Sequence, residues 1–268
     1  MSERAIGVVL SDVDGTQMIH GQRLPTPAVQ AAAHGLRANG IPLLEVTGRS
    51  HALLRKLVVP LDLRDNLCTL DGGATVAHAD SGEVVWSRWL SAERARAAVM
   101  GIGRFCTNIH FDMDSRSRDP QEVLQAVEEN RVLADGAPSV FAIFGVEKGN
   151  QIIEALGQLP GIRHTPIMAY ENSEELGCIQ VVEADVDKHY GIVQMLRYAG
   201  LAGMRPLVIG DGRNDLPLFA AAGADGVKVA MDNANTPEEL KDLADWVAPS
   251  VENDGFAVTM DRYELLVP

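Results

Sequence analysis

The sequence predicts an α/β protein: a doubly wound parallel sheet interrupted by an inserted α+β unit. Three observations carry this expectation. Near both ends of the chain, short runs with an uncharged apolar core, such as "AIGVVL" and the "PLVIG" of "RPLVIGDG", alternate with amphipathic helical patterns, as strands buried on both faces of a parallel sheet do. Polar residues gather just past the carboxyl ends of those runs, where open α/β sheets hold their ligands. Between the two stretches the order of strands and helices changes character, with no internal repeat and no Pro/Gly/Ser-rich linker at either boundary. A chain of 268 residues, 46% of them hydrophobic, can bury a core of this extent.

In chain order, "AIGVVL" predicts the first strand, with Asp12 at its carboxyl end. "PTPAVQAAAHGLRANG" predicts a helix with Thr26 as N-cap, Pro27 in the first turn and Gly40 just past the end. "IPLLEVT" reads as the second strand, "GRSHALLRKLVV" as a helix and "NLCTL" as a third strand of the same sheet. The inserted unit is expected over 86–185, dividing the core into 1–85 and 186–268. In it "AERARAAVMGIGRF", "PQEVLQAVEEN" and "NQIIEALGQL" read as helices, and "NIHFDMD", "SVFAIFGV", "RHTPIMAY" and "GCIQVVEA" as strands. The core resumes with a helix in "VDKHYGIVQMLRYAG", a strand in "RPLVIGDG", a helix in "NDLPLFAAAG", a strand in "GVKVAM" and a capped helix in "TPEELKDLA".

A net charge of -14 repels nucleic acid and anionic lipid over most of the surface, so neither is expected as a partner. An anionic substrate then needs a local cluster of cations or a metal. Cys68, Cys106 and Cys178 form no Cys-x-x-Cys pair and are expected to be buried thiols in a reducing compartment. The apolar stretch near the start is too short for a signal peptide and no run is long enough for a membrane span, so a cytoplasmic protein is expected. "GIGRFC" has Cys106 where the third glycine of a dinucleotide fingerprint belongs, and no P-loop is present. His51 and His189 lack metal-ligand spacing and read as packing or surface groups.

Four polar clusters fall on strand ends or helix starts of the core: Asp12 with Asp14, Thr47 in "EVTGRS", Lys188 in "VDKHYG", and Asp211 with Asp215 in "GDGRND". Each alone could be a turn or a solvated surface group. Together they sit where one sheet brings them to its carboxyl edge. Asp12 and Asp14 repel each other and lose water there, a cost that a cation or reacting group must offset. Asp12, Asp211 and Asp215 offer the oxygen-rich, incomplete cage that suits Mg²⁺. Asp12 can attack phosphorus and form an aspartyl phosphate. Asp14 can act as general acid and then general base, neighbouring carboxylates keeping a proton available. Lys188 supplies a point charge and Thr47 oriented hydrogen bonds for the transferring phosphoryl oxygens. Arg49 can either reach a phosphate or pair with an acidic loop.

This ordered set resembles the haloacid dehalogenase superfamily of aspartate-nucleophile phosphatases, and within it the Cof-type branch with a large inserted α+β (C2B-type) cap. The likeness covers nearly the whole chain, including the tail "VAMDNANTPEELKDLADWVAPSVENDG". It implies a Rossmann-like core, Asp12 as nucleophile, Asp14 as acid/base, Thr47 and Gly48 as phosphate-binding, and Lys188 as the third motif. It further implies Asp211 and Asp215 at the metal, Asn214 near substrate phosphate, and Asp14 contributing its backbone carbonyl to the metal. Three positions depart from the branch: Gln17 replaces an aliphatic residue, "DGGA" at 71–74 replaces the commoner Asn-Gly-Ala, and Asp232 replaces Gly. The resulting expectation is a Mg²⁺-dependent phosphomonoesterase, monomeric or homodimeric, acting on small phosphorylated metabolites, sugar phosphates above all, with the cap deciding which. A phosphosugar mutase and a non-catalytic phosphometabolite sensor are the rival readings. The intact set of Asp12, Asp14, Lys188 and Asp211 argues against the sensor, since binding alone needs no nucleophile.

Overall fold

The computed structural model describes residues 5–111, 118–167 and 175–266. The chain opens with β1 (Val8–Ser11), α1 (Pro27–Ala38), β2 (Leu43–Glu45) and α2 (His51–Leu54). It continues through β3 (Leu67–Leu70), β4 (Thr75–His78) and β5 (Val84–Ser87). The inserted stretch holds α3 (Ala92–Ile102), β6 (Cys106–His110), α4 (Pro120–Glu128), β7 (Val140–Gly145), α5 (Gly149–Gly157), β8 (Ile162–Ile167) and β9 (Leu176–Glu183). The chain then runs through α6 (Lys188–Tyr198), β10 (Pro206–Gly210), α7 (Leu216–Ala221), β11 (Val227–Met231), α8 (Glu238–Asp242), β12 (Trp246–Ala248) and α9 (Gly255–Arg262).

The parallel sheet runs β12-β11-β10-β1-β2. Its strands are buried on both faces, and residue alternation sorts them. Val9, Ile209 and Val229 pack with α1 and α9 through Leu36, Phe256 and Met260, whereas Leu10, Val208 and Ala230 pack with α6, α7 and α8 through Ile192, Phe219 and Leu240. The strand order reverses at β1, which leads to β2 on one side and lies against β10 on the other. The loops after β1 and β10 therefore diverge and open a crevice at the sheet's carboxyl edge.

Several expectations need correction. "NLCTL" does form a strand, but β3 pairs antiparallel with β4, and β4 with β5, in a separate three-stranded sheet. Only Asp71 to Ala74 connect β3 to β4, far too few residues for a parallel crossover. β3 still touches the parallel sheet through one bridge, Val46 to Thr69. β4 and β5 were not anticipated, and β5 runs past the boundary expected at residue 86. The helix expected over "GRSHALLRKLVV" is one α-turn followed by a tighter turn over Arg55–Leu57, ahead of Pro60, whose ring would clash with a continuing helix. α8 is preceded by Pro237 rather than capped by Thr236, whose buried hydroxyl finds no partner among the described residues. Cys106 is only half-buried, while Cys68 and Cys178 are buried.

The inserted residues build a four-stranded antiparallel sheet, β6-β7-β9-β8. Its back packs on α3, α4 and α5, with Val140, Ala142 and Phe144 against Val99, Val127 and Ile152. Period-2 alternation turns Phe141 the other way. Register then sets His110, Phe141, Gln180 and Thr165 side by side across the four strands.

Candidate active site

That row of the cap sheet and the carboxyl edge of the parallel sheet enclose a cavity of about 1430 Å³. Asp12, Asp14, Thr47, Gly48, Arg49, Lys188, Asp211 and Asn214 all line it. The set expected from sequence is thus gathered in one place from four separate segments.

Asp12 extends β1 by one residue, its N–H bonded to the Ile209 carbonyl at 3.0 Å. The chain then turns sharply, with the Thr16, Gln17 and Met18 N–H groups all directed at the Val13 carbonyl. Gly15 makes this possible: its φ is +78, and a Cβ there would run into the Asp211 carboxylate. Only glycine fits so near the acid it faces.

Lys188 is the first residue of α6, behind Asp187, whose side chain accepts the Tyr190 N–H. Buried to 3% exposure, its ammonium donates to Asp12 Oδ1 and Asp215 Oδ1, both at 2.6 Å. Burial alone would lower the pKa of Lys188, but the two carboxylates raise it, so the ammonium stays charged. Gly73 lets the β3–β4 turn press against the start of α6, since a Cβ there would strike the Asp187 carbonyl.

Asp215 is fully buried, and its second oxygen accepts the N–H groups of Asp211 and Gly212, each at 2.9 Å. Oxygens of Asp12, Asp211 and Asp215 lie within 4.8 Å of one another. Burial pushes the Asp12 carboxyl well above its usual range against the pull of Lys188, and Asp215, Asp211 and Asp14 raise it further. Asp211 is pushed up to about 7 by burial and then by Asp215. An all-oxygen donor set under this like-charge strain fits a divalent cation of Mg²⁺ type.

The Asp14 carboxylate stands apart from that trio. Arg49 grips it with two bonds, Nε to Oδ2 at 2.7 Å and Nη2 to Oδ1 at 2.5 Å. The sequence places carboxylates around Asp14, but its side-chain partner is a guanidinium, and its carboxylate is not among the three that cluster. Thr47 Oγ1 accepts the Arg49 N–H at 3.1 Å, shaping the loop that carries Gly48. Asn214 sits in the turn before α7 at the cavity wall.

Asn233 was missed. Its amide donates to the Gly15 carbonyl at 2.7 Å and to Asp211 Oδ2 at 3.1 Å, while its oxygen accepts the Val251 N–H at 2.9 Å. It ties the β1 turn, the β10 acid and the chain after β12 into one frame. Gln180 was also missed: from the cap it donates to the Gly48 carbonyl at 3.0 Å and to Ser139 Oγ at 3.2 Å. The departures from the branch pattern have partners too. Gln17 reaches both oxygens of buried Glu45 at 3.1 and 3.0 Å, and Asp232 pairs with Lys241 at 2.7 Å. His51 bonds the Ala79 carbonyl at 3.0 Å and His189 is exposed, so both are structural or surface groups. Asp112 and Asp114, the other polar residues of "NIHFDMD", lie outside the described residues.

The family model for haloacid dehalogenase-like hydrolases matches residues 9–116 and 108–260, a span that holds every one of these groups. The chain is a haloacid dehalogenase-like hydrolase. The HMP-PP phosphatase of Cronobacter sakazakii is 24% identical over 245 residues, covering 87% of this chain and 86% of that protein. A phosphoglycolate phosphatase of Archaeoglobus fulgidus is 22% identical over 255 residues, covering 95% and 96%. Among solved structures, the haloacid dehalogenase subclass IIB sugar phosphatase BT4131 superposes with a TM-score of 0.74 at 19% identity, over 96% of this chain and 99% of that one. This hydrolase therefore shares its fold with such proteins over almost its full length. No helix among the described residues is long and apolar enough to cross a membrane.

Proposed function

We propose that this hydrolase is a Mg²⁺-dependent phosphomonoesterase that acts on small phosphorylated metabolites, sugar phosphates foremost, through an aspartyl phosphate on Asp12. The observation that carries the reading is the state of Asp12 at the cavity floor. Lys188 holds its Oδ1, and its Oδ2 takes no hydrogen bond among the described residues. An anchored carboxylate with one free oxygen is a nucleophile already aimed.

Asp12 Oδ2 attacks phosphorus, and the bond from phosphorus to the ester oxygen breaks. Asp14 gives a proton to the departing oxygen, then takes one from the water that cleaves the acyl phosphate. An arriving phosphate dianion competes for the Arg49 guanidinium and frees Asp14 for this work. Thr47, the loop N–H groups, Lys188 and Asn214 orient the phosphoryl oxygens. Asp12, Asp211 and the Asp14 carbonyl would hold Mg²⁺, with Asp215 fixing the Asp211 loop. When bound, the ion neutralises charge on the phosphoryl group and among the carboxylates. The unit spanning 86–185 is assigned the selection of leaving groups and the exclusion of bulk water. Phosphatase activity in the relatives, including one on a sugar phosphate, supports the substrate class.

The test is hydrolysis of 4-nitrophenyl phosphate by the purified protein. Activity should vanish with a chelator, return with Mg²⁺, and be abolished in Asp12→Asn with the fold intact by circular dichroism. Undiminished activity in metal-free buffer, or near-normal turnover by Asp12→Asn, would overturn the reading. An isomerised monophosphate as product would point to the mutase, and binding without turnover to the sensor.

A further inference from the structure

Asp71, the residue where "DGGA" begins, is buried to 4% exposure and held at a φ of +52 in the turn between β3 and β4. Its neighbours determine what each carboxyl oxygen can do. The Trp89 indole N–H, which can only donate, bonds Thr75 Oγ1 at 2.9 Å. The Thr75 hydroxyl proton is thereby directed to Asp71 Oδ2, at 3.1 Å. Oδ2 is an acceptor already in use. Oδ1 has no partner among the described residues, yet it is not sealed in, and Asp71 lines the cavity.

The position of this oxygen is equally constrained. The Asp71 N–H bonds the Arg49 carbonyl at 3.0 Å and the Gly72 N–H bonds the Thr47 carbonyl at 3.2 Å, so the turn is fastened to the loop assigned to phosphate. On its other side Gly72 lies against the side chain of Gln180, which descends from the cap. Asp71 thus lines the cavity between the loop that carries Thr47 to Arg49 and the cap side chain of Gln180. None of the cavity's cations pairs with it among the described residues, and burial lifts its carboxyl to about 7 against the pull of Thr75, so Oδ1 is an acceptor only above that pH, where the comparison below is made. With one oxygen wired and the other open to the cavity, this carboxyl has a free acceptor that becomes costly once a ligand displaces water from it without supplying a donor.

We infer that Asp71 is a specificity-determining residue whose Oδ1 accepts a hydrogen bond from a hydroxyl or ammonium group carried by the leaving group close to the phosphate. The inference rests on the phosphatase reading and adds the chemical class of the substrate: a phosphomonoester with a hydrogen-bond donor near the ester oxygen. A donor-free alkyl phosphate would leave Oδ1 desolvated and unpaired, which is how a site built for a polar group rejects the analogue lacking it.

The experiment compares kcat/KM for 2-hydroxyethyl, 2-aminoethyl and propyl phosphate, with 4-nitrophenyl phosphate as a reference, in the wild type and in Asp71→Asn. Asparagine suits the left-handed backbone, keeps its carbonyl toward Thr75 and turns an NH₂ toward the cavity, so the acceptor becomes a donor. The wild type should prefer a donor-bearing ester over propyl phosphate by about tenfold or more, and the variant should lose about tenfold of that preference. Preference for the ammonium ester assigns an amine, and preference for the hydroxyl ester a polyol. An absent preference in the wild type, or one unchanged in Asp71→Asn while 4-nitrophenyl phosphate is hydrolysed, overturns the role of Asp71 alone. Failure to hydrolyse any of the four esters overturns the phosphatase reading, and this inference with it.

Discussion

Replacing Glu45 by Gln should make the protein more stable at pH 8 than at pH 5, relative to the wild type. Glu45 ends β2 with 1% exposure, and the Gln17 amide is its hydrogen-bond partner. Burial lifts its carboxyl from 4.5 to about 8, the Gln17 bond opposing and the Asp12 charge assisting. In the unfolded chain Glu45 ionises above about pH 4.5, while in the fold it keeps its proton until about pH 8. The stability this group contributes is therefore complete below pH 4.5 and is lost as pH rises through 8. At about 1.4 kcal/mol per tenfold change in acidity, the loss between pH 5 and pH 8 is on the order of 3 kcal/mol. Glutamine has the same shape, keeps a partner in Gln17 and does not titrate. The stability difference between Glu45→Gln and wild type, from urea unfolding followed by circular dichroism, should thus grow by about 3 kcal/mol across that interval. Asp71 and Asp211 titrate in both proteins and cancel in the difference, whereas Asp12, whose charge acts on Glu45, adds a smaller part to it. A difference that stays flat from pH 5 to pH 8 would refute the reasoning, because it would mean that Glu45 ionises as freely in the fold as outside it.

Asp14→Asn should still release about one equivalent of 4-nitrophenol in a burst, since that leaving group needs no acid, and then turn over about 100-fold more slowly because water lacks its base; steady turnover at the wild-type rate would remove Asp14 from the chemistry. Asn233→Ala unties Gly15 from Asp211, so about tenfold more Mg²⁺ should be needed for half-maximal activity, and an unchanged Mg²⁺ titration would show that the frame holds without it. On the cap row, Phe141→Ala and Thr165→Val should shift relative kcat/KM among phosphorylated metabolites by about tenfold. Equal losses on every substrate, 4-nitrophenyl phosphate included, would move specificity elsewhere.

What could be read from the sequence was local. The apolar runs of β1, β10 and β11 declare strands buried on both faces, because their own composition suffices for that inference. Acids placed just past such runs reach the sheet's carboxyl edge whatever the packing, so Asp12, Asp14, Asp211 and Asp215 were legible, with Thr47 and Lys188 beside them at a strand end and a helix start, and the family's motif order tied the set together. The partner of a buried group was not legible, because partnership belongs to two segments at once. Lys188 bridges Asp12 and Asp215 from 176 and 27 residues away, and Asn233 bonds a carbonyl 218 residues distant. β3 shows the same limit: its residues announce a strand, but the short turn behind it selects the antiparallel partner. Gln17 and Asp71 were visible as departures from a pattern. Only packing decided what surrounds them, by burying Gln17 against Glu45 and by leaving Asp71 one oxygen wired to Thr75 and one open to the cavity.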